Sequence, residues 1–211
     1  MTVRLALALL APVFLASLAL SPAARAAPRT YTLEPAHSRL TIHVGKAGLF
    51  GFAGHEHEVV GGSFRGKATF DPDRLAQSSV DLTFDTGALR VTGQGEPRED
   101  VPQVQAAMVG ATCLDAGRFP TVRFVSKSAA AAGAAGPNGG DLALRGELTL
   151  HGVTRPLTVH VHLDVTGQTL EATGTTTLQQ TAFGITPISK AGVVKVKDEL
   201  TLTWRIRGRT S

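Results

Sequence analysis

Gly54-His55-Glu56-His57-Glu58 places two imidazoles two positions apart. On a strand, residues of equal parity share a face, so both rings point the same way and offer two nitrogens to one metal ion or haem iron. Two ligands are not a site. A third would come from elsewhere in the chain, with His37, His43 and Glu34 as candidates. His55 and His57 are therefore candidates, and no metal requirement is assigned; a structural or solvent-facing role is the plainer expectation.

The remaining chemistry-bearing residues read as structural. His160 and His162 share the strand face opposite Val159, Val161 and Leu163, which should be solvated. His151 precedes Gly152 in a turn, where a local hydrogen bond is expected. Asp198 has the parity of Val196 and Leu200, so it is expected to face inward and to need a partner, either a ligand head group or an arginine or backbone donor near a strand end. Cys113 is the only cysteine, which excludes an internal disulfide and leaves a buried thiol as the reading. No nucleophile elbow, phosphate loop, zinc-protease helix or Cys-x-x-Cys is present, and no catalytic role is assigned.

Most of the chain alternates with a period of two. Leu157, Val159, Val161, Leu163 and Val165 oppose Thr158, His160, His162 and Asp164; Val194, Val196, Leu200, Leu202, Trp204 and Ile206 oppose Lys195, Lys197, Glu199, Thr201, Thr203, Arg205 and Arg207. Leu142 to Leu150, Val80-Leu82-Phe84 and Val122-Phe124 repeat the pattern. With 38–46, 57–71 and 169–181 this predicts roughly eight strands, separated by turns such as Gly61-Gly62 and Pro137-Asn138-Gly139-Gly140. One short helix is predicted over 99–108, where Val101, Val104 and Met108 have helical spacing, with Asp100 as cap and Pro102 in the first turn. The Ala- and Gly-rich stretch 128–139 lacks an apolar period and is expected to be a mobile loop.

Alternation in nearly every strand implies an antiparallel sheet with one dry face, which must be buried. Closure into a barrel does so and removes exposed edges; at roughly eight strands the interior is either filled by side chains or holds one small ligand. The fold predicted is all-β, an antiparallel barrel of roughly eight strands with one short helix. Its inward positions, and thus candidate ligand contacts, include Phe64, Leu82, Phe84, Phe124, Leu148, Val161, Phe183, Asp198 and Trp204.

The chain of 211 residues opens with Arg4, an apolar run from Leu5 to Leu20 interrupted by Pro12, and Ala24-Arg25-Ala26. This is the layout of a secretory signal peptide, cleavage being expected after Ala26, with 27–211 as one domain. The chain has 21 Lys and Arg against 17 Asp and Glu, and Arg4 and Arg25 would leave with the leader. The remaining balance is close to neutral and carries no footprint for nucleic acid.

Several segments in order resemble the YceI-like family of exported polyisoprenoid-binding proteins. They are Tyr31-Thr32-Leu33-Glu34-Pro35-Ala36-His37-Ser38; Gly62-Ser63-Phe64-Arg65-Gly66 with Phe70-Asp71; Leu114-Asp115 with Phe119-Pro120-Thr121-Val122-Arg123-Phe124; Gly146 to Pro156; and Phe183-Gly184-Ile185 with the late Asp198. Gly54-His55-Glu56-His57 resembles the Gly-His-x-His variant of a subgroup, while the helical segment lacks the family's common Arg-Asp-x-His-Leu run and Ala182 stands where an Asp is frequent. The resemblance implies a lipocalin-like barrel in the periplasm that binds or carries an isoprenoid or other long apolar lipid of quinone or polyprenyl type, with no cofactor required. Transient contact with the membrane or a membrane protein follows from such a cargo. The alternative reading is a metal- or haem-linked redox accessory protein built on His55 and His57.

Overall fold

The structure, a computed structural model, describes residues 27–47, 56–190 and 194–210. The leader read at 1–26 and His55 lie outside the described residues. The described residues form strands β1 (Arg29–Leu33), β2 (Arg39–Ala47), β3 (His57–Gly61), β4 (Phe64–Phe70), β5 (Ser79–Asp85), β6 (Leu89–Val91), β7 (Thr121–Gly136), β8 (Gly139–Leu150), β9 (Val153–Thr166), β10 (Thr169–Gln179), β11 (Ser189–Lys190) and β12 (Val194–Arg209), and one α-helix, α1 (Val101–Val109). All pairings are antiparallel, and they close an eight-stranded barrel in the order β1-β4-β5-β7-β8-β9-β10-β12, with β1 returning to β12.

The first three barrel positions are each one strand broken by a kink. β1 and β2 lie end to end along β12, β3 and β4 form the next position, and β5 and β6 the third. The first kink is a 3-10 turn begun by Pro35, which has no N–H to give a ladder. Ser38 closes the gap: its hydroxyl donates to Glu34 O at 2.7 Å and accepts from Arg207 N of β12 at 2.9 Å. Gly61-Gly62 breaks the second position, and the turn Thr86–Ala88 the third.

Past its kink the third position leaves the free edge of β6, and α1 covers it. Gln105 Oε1 accepts from Val91 N at 2.8 Å and Gln105 Nε2 donates to Leu89 O at 3.0 Å. One side-chain amide thus pairs backbone groups that a neighbouring strand would otherwise satisfy. Val101, Val104 and Met108 of α1 pack on Val59, Leu89 and Val91, as their helical spacing predicts. Asp100 stands at the helix start but its side chain makes no capping hydrogen bond.

The alternation in β9 is realised without exception over Val159 to Thr166: Val159, Val161, Leu163 and Val165 are buried while His160, His162, Asp164 and Thr166 are exposed. The stretch 128–139 corrects the expectation of a mobile loop. Residues up to Gly136 extend β7 and pair with β8, tight turning being confined to Pro137 and Asn138. Alanine carries little preference of its own, and the ladder is supplied by the partner: Ala129 is buried opposite Leu144, and Ala131 faces Leu142. Where the register slips after Ser126, the Ser126 hydroxyl accepts from Val80 N at 2.9 Å.

Candidate functional site: an apolar barrel interior with a polar mouth

The barrel holds two adjoining cavities, of about 530 Å³ and about 170 Å³. Their sequence along the barrel follows from β12, whose alternate side chains line them in turn. Ile206 and Trp204 border the smaller cavity, Leu202 borders both, and Leu200 and Val196 border the larger. Leu40, Phe84, Leu148 and Leu178 join Leu202 at the shared waist. Beyond the smaller cavity the barrel end is filled by a packed cluster that includes Tyr31, Phe70 and Val165. The Trp204 ring lies directly against Gly174 opposite it, where a Cβ would come within 2.5 Å of Trp204 Cζ2.

The larger cavity is apolar along β2, β3 and α1, through Ile42, Val44, Val59, Val104 and Met108, and its polar groups are Lys46, His57, Glu96, Asp100, Gln103 and Gln180. Glu96 comes from the Gly93-Gln94-Gly95-Glu96-Pro97 loop between β6 and α1. Gly95 holds φ at +87°, a conformation that costs glycine little, and this turn presents the glutamate to the interior. The Glu96 side chain is wholly shielded from water. His57 Nδ1 lies 3.1 Å from Glu96 Oε2, and since a carboxylate only accepts, Nδ1 is the donor. Glu96 Oε1 has no hydrogen-bond partner.

The inward-facing residues read from parity fall into three groups. Leu82, Phe84, Phe124, Leu148, Val161 and Trp204 line the cavities. Phe64 and Phe183 are buried in the packed clusters behind them and line neither, Phe64 stacking on Phe84 with ring centroids 5.1 Å apart. Asp198 finds the backbone donor expected of it, and its inward direction is corrected. Between Val196 and Leu200 strand β12 bulges, with three residues opposite Gly45 alone, so strict parity is lost at its centre. Asp198 turns away from the cavities to the 181–183 turn, where its carboxylate accepts from Thr181 N at 2.8 Å and from Thr181 Oγ1 at 2.6 Å. These bonds hold its pKa below the ordinary aspartate value.

Of the histidines, His57 alone of the described residues borders the cavity. His43 points to the exposed face of β2, and His37 is exposed beside Glu34 at 3.4 Å, so neither joins His57. Among the described residues no group of three or more His, Cys, Asp or Glu could hold a metal. His162 meets Asp141 at 2.7 Å on the outer surface, and His160 is likewise exposed. His151 forms its hydrogen bond across the fold, Nδ1 standing 3.2 Å from Phe183 O, instead of within its own turn. Cys113 lines the larger cavity, and burial pushes its thiol pKa up.

Parity reasoning did not reach Glu96. Its sole mark in sequence is its place between a glycine and a proline in a loop, and nothing there indicates that the loop folds into the barrel mouth.

A family model described as the YceI-like domain matches residues 31–207. A UPF0312 protein of Shewanella sp. (strain W3-18-1) is 30% identical over 175 residues, covering 80% of this chain and 82% of the relative, and one of Vibrio cholerae is 26% identical over 181 residues, covering 83% and 86%. In fold the chain is similar to Burkholderia cenocepacia BcnA, with TM-score 0.66, 22% identity and coverage of 83% of this chain and 98% of that one. It is also similar to a polyisoprenoid binding domain from Saccharophagus degradans, with TM-score 0.62, 10% identity and coverage of 86% and 98%.

Proposed function

The chain belongs to the YceI-like domain family, and from that premise we propose that it is a binding or carrier protein, without catalysis of its own, for an isoprenoid or other long apolar lipid held inside the barrel. One observation carries the reading: two apolar cavities meet at a waist and together follow the barrel from a polar mouth to a packed end. That shape suits a long chain with one polar terminus better than a compact solute. Each buried hydrocarbon carbon contributes about 0.8 kcal/mol, so each isoprene unit contributes roughly 3 to 4 kcal/mol before the entropy of association is charged, itself about 4 kcal/mol or more. A tail of a few units is enough for tight binding without a metal bond. The polyisoprenoid binding of the Saccharophagus domain supports a ligand of quinone or polyprenyl type.

The leader-like residues 1–26 support export and a periplasmic place of action. A cargo that partitions into membranes is collected and delivered there, so the protein meets the membrane or a membrane protein transiently. No cofactor is required for this role. Native mass spectrometry and solvent extraction of freshly purified protein test it. Bound lipid, or uptake of added quinone or polyprenyl lipid, is expected; protein that is consistently empty and takes up neither overturns the reading.

A further inference from the structure

Four described residues have a buried side-chain polar atom without a hydrogen-bond partner: Tyr31, Thr86, Glu96 and Arg207. Glu96 alone among them belongs to a cavity wall. Its other oxygen is engaged by His57 at 3.1 Å, so the carboxylate is oriented, shielded from water and half-satisfied, with its unmet acceptor buried in the wall at the polar end of an otherwise apolar chamber. A carboxylate oxygen so placed is poorly stabilised until a donor arrives.

We propose that Glu96, oriented by His57, is the head-group receptor of the cavity and selects a lipid whose head carries a neutral hydrogen-bond donor, such as a hydroxyl, over the same tail ending in an ether or a phosphate. An ether accepts only and leaves Oε1 unmet. A phosphate brings negative charge to a wall that already holds Glu96 and Asp100, in surroundings that screen charge poorly. The basic groups of the wall do not reverse this preference: His57 is turned to Glu96, and Lys46 already has a partner. The neutral donor is the head that repairs the deficit at Oε1 and adds no charge. The selection rests on the lipid-binding reading above and narrows it: of the quinone and polyprenyl types it favours a polyprenyl alcohol or a reduced quinol over an oxidised quinone, whose carbonyls only accept.

Protein purified from a Gram-negative host expressing the full chain is delipidated and titrated with geranylgeraniol, its methyl ether and geranylgeranyl phosphate, three probes with one tail. The alcohol should bind about tenfold more tightly than the ether, the loss expected for one hydrogen bond to a charged group, and more tightly than the phosphate. In Glu96→Leu the alcohol should fall to the level of the ether while ether binding holds. Glu96→Gln, which keeps the side-chain shape and removes the charge, should gain affinity for the phosphate, and it serves if the leucine variant does not fold. Equal binding of alcohol and ether by the unaltered protein, or a preference for the phosphate, overturns the head-group assignment and leaves the lipid reading in place. Failure of all three probes to bind overturns the head-group assignment, and the lipid reading with it where the purified protein is also empty and takes up no added quinone.

Discussion

Replacing Val161 by lysine should cost the fold most of its stability, whereas the neighbouring His160→Lys should be nearly silent. Val161 is 6% exposed, faces Leu142 across the sheet and lines the smaller cavity; His160 is exposed. A lysine has an ordinary pKa of about 10.4, and apolar burial pushes it as low as about 5 to 6. Holding the amine neutral at pH 7 therefore costs about 4.6 kcal/mol, at about 1.36 kcal/mol per pH unit. Loss of the buried valine adds about 1.5 to 3 kcal/mol, so the total is of the order of the whole stability of a domain, about 5 to 15 kcal/mol. The unfolded chain would carry the proton that the folded chain refuses, so the variant's deficit should shrink as pH rises, by up to about 1.4 kcal/mol per unit until about pH 10. An exposed change at His160 should stay within about 0.5 kcal/mol. Urea midpoints at about pH 6 and about pH 9, with retained lipid measured on the same samples, check both the size and the pH slope. A tolerated Val161→Lys beside a disruptive His160→Lys would mean that the sheet is inside out and that the cavity lining has been assigned to the wrong face.

Leu148→Trp, at the waist shared by both cavities, should bar long tails from the smaller cavity while short ones still bind, at a stability cost of about 1 to 3 kcal/mol for overpacking; titration with isoprenoids of graded length reads this out. Gln105→Leu should cost about 1 to 3 kcal/mol, because it removes both hydrogen bonds to β6, and hydrogen exchange should accelerate at the Val91 amide. Among the described residues three carboxyl groups sit below their ordinary pKa: Asp81 through its hydrogen bond from Arg123, Glu171 through that from Arg205, and Asp198 through Thr181. Folded values lower than unfolded ones stabilise the native state above about pH 5 and lose that contribution as the pH falls below about 4, so the melting temperature should decline there, modestly because these groups face solvent; a flat profile over that range contradicts the pairing.

Which face of a strand is dry was legible in the sequence wherever the strand is regular, because side-chain direction there depends only on residue parity. Val159 to Val165 and the Leu142–Leu150 strand need no knowledge of their neighbours, and together with the closure argument they lead to the antiparallel barrel of eight strands. Parity failed at Asp198, where a bulge set by pairing with β2, a strand some 150 residues earlier in the chain, turns the carboxylate to Thr181. Composition failed at 128–136, because alanine takes its conformation from whatever ladder it is offered and β8 offers one. Glu96 and Gln105 are the clearest cases of what tertiary structure alone decides. A side-chain amide on a helix that completes the edge of a sheet, and a loop carboxylate that enters a cavity mouth with one oxygen unmet, are defined by the partners opposite them. Those partners come from distant strands, brought into place when the barrel closes, and no local period in the sequence encodes them.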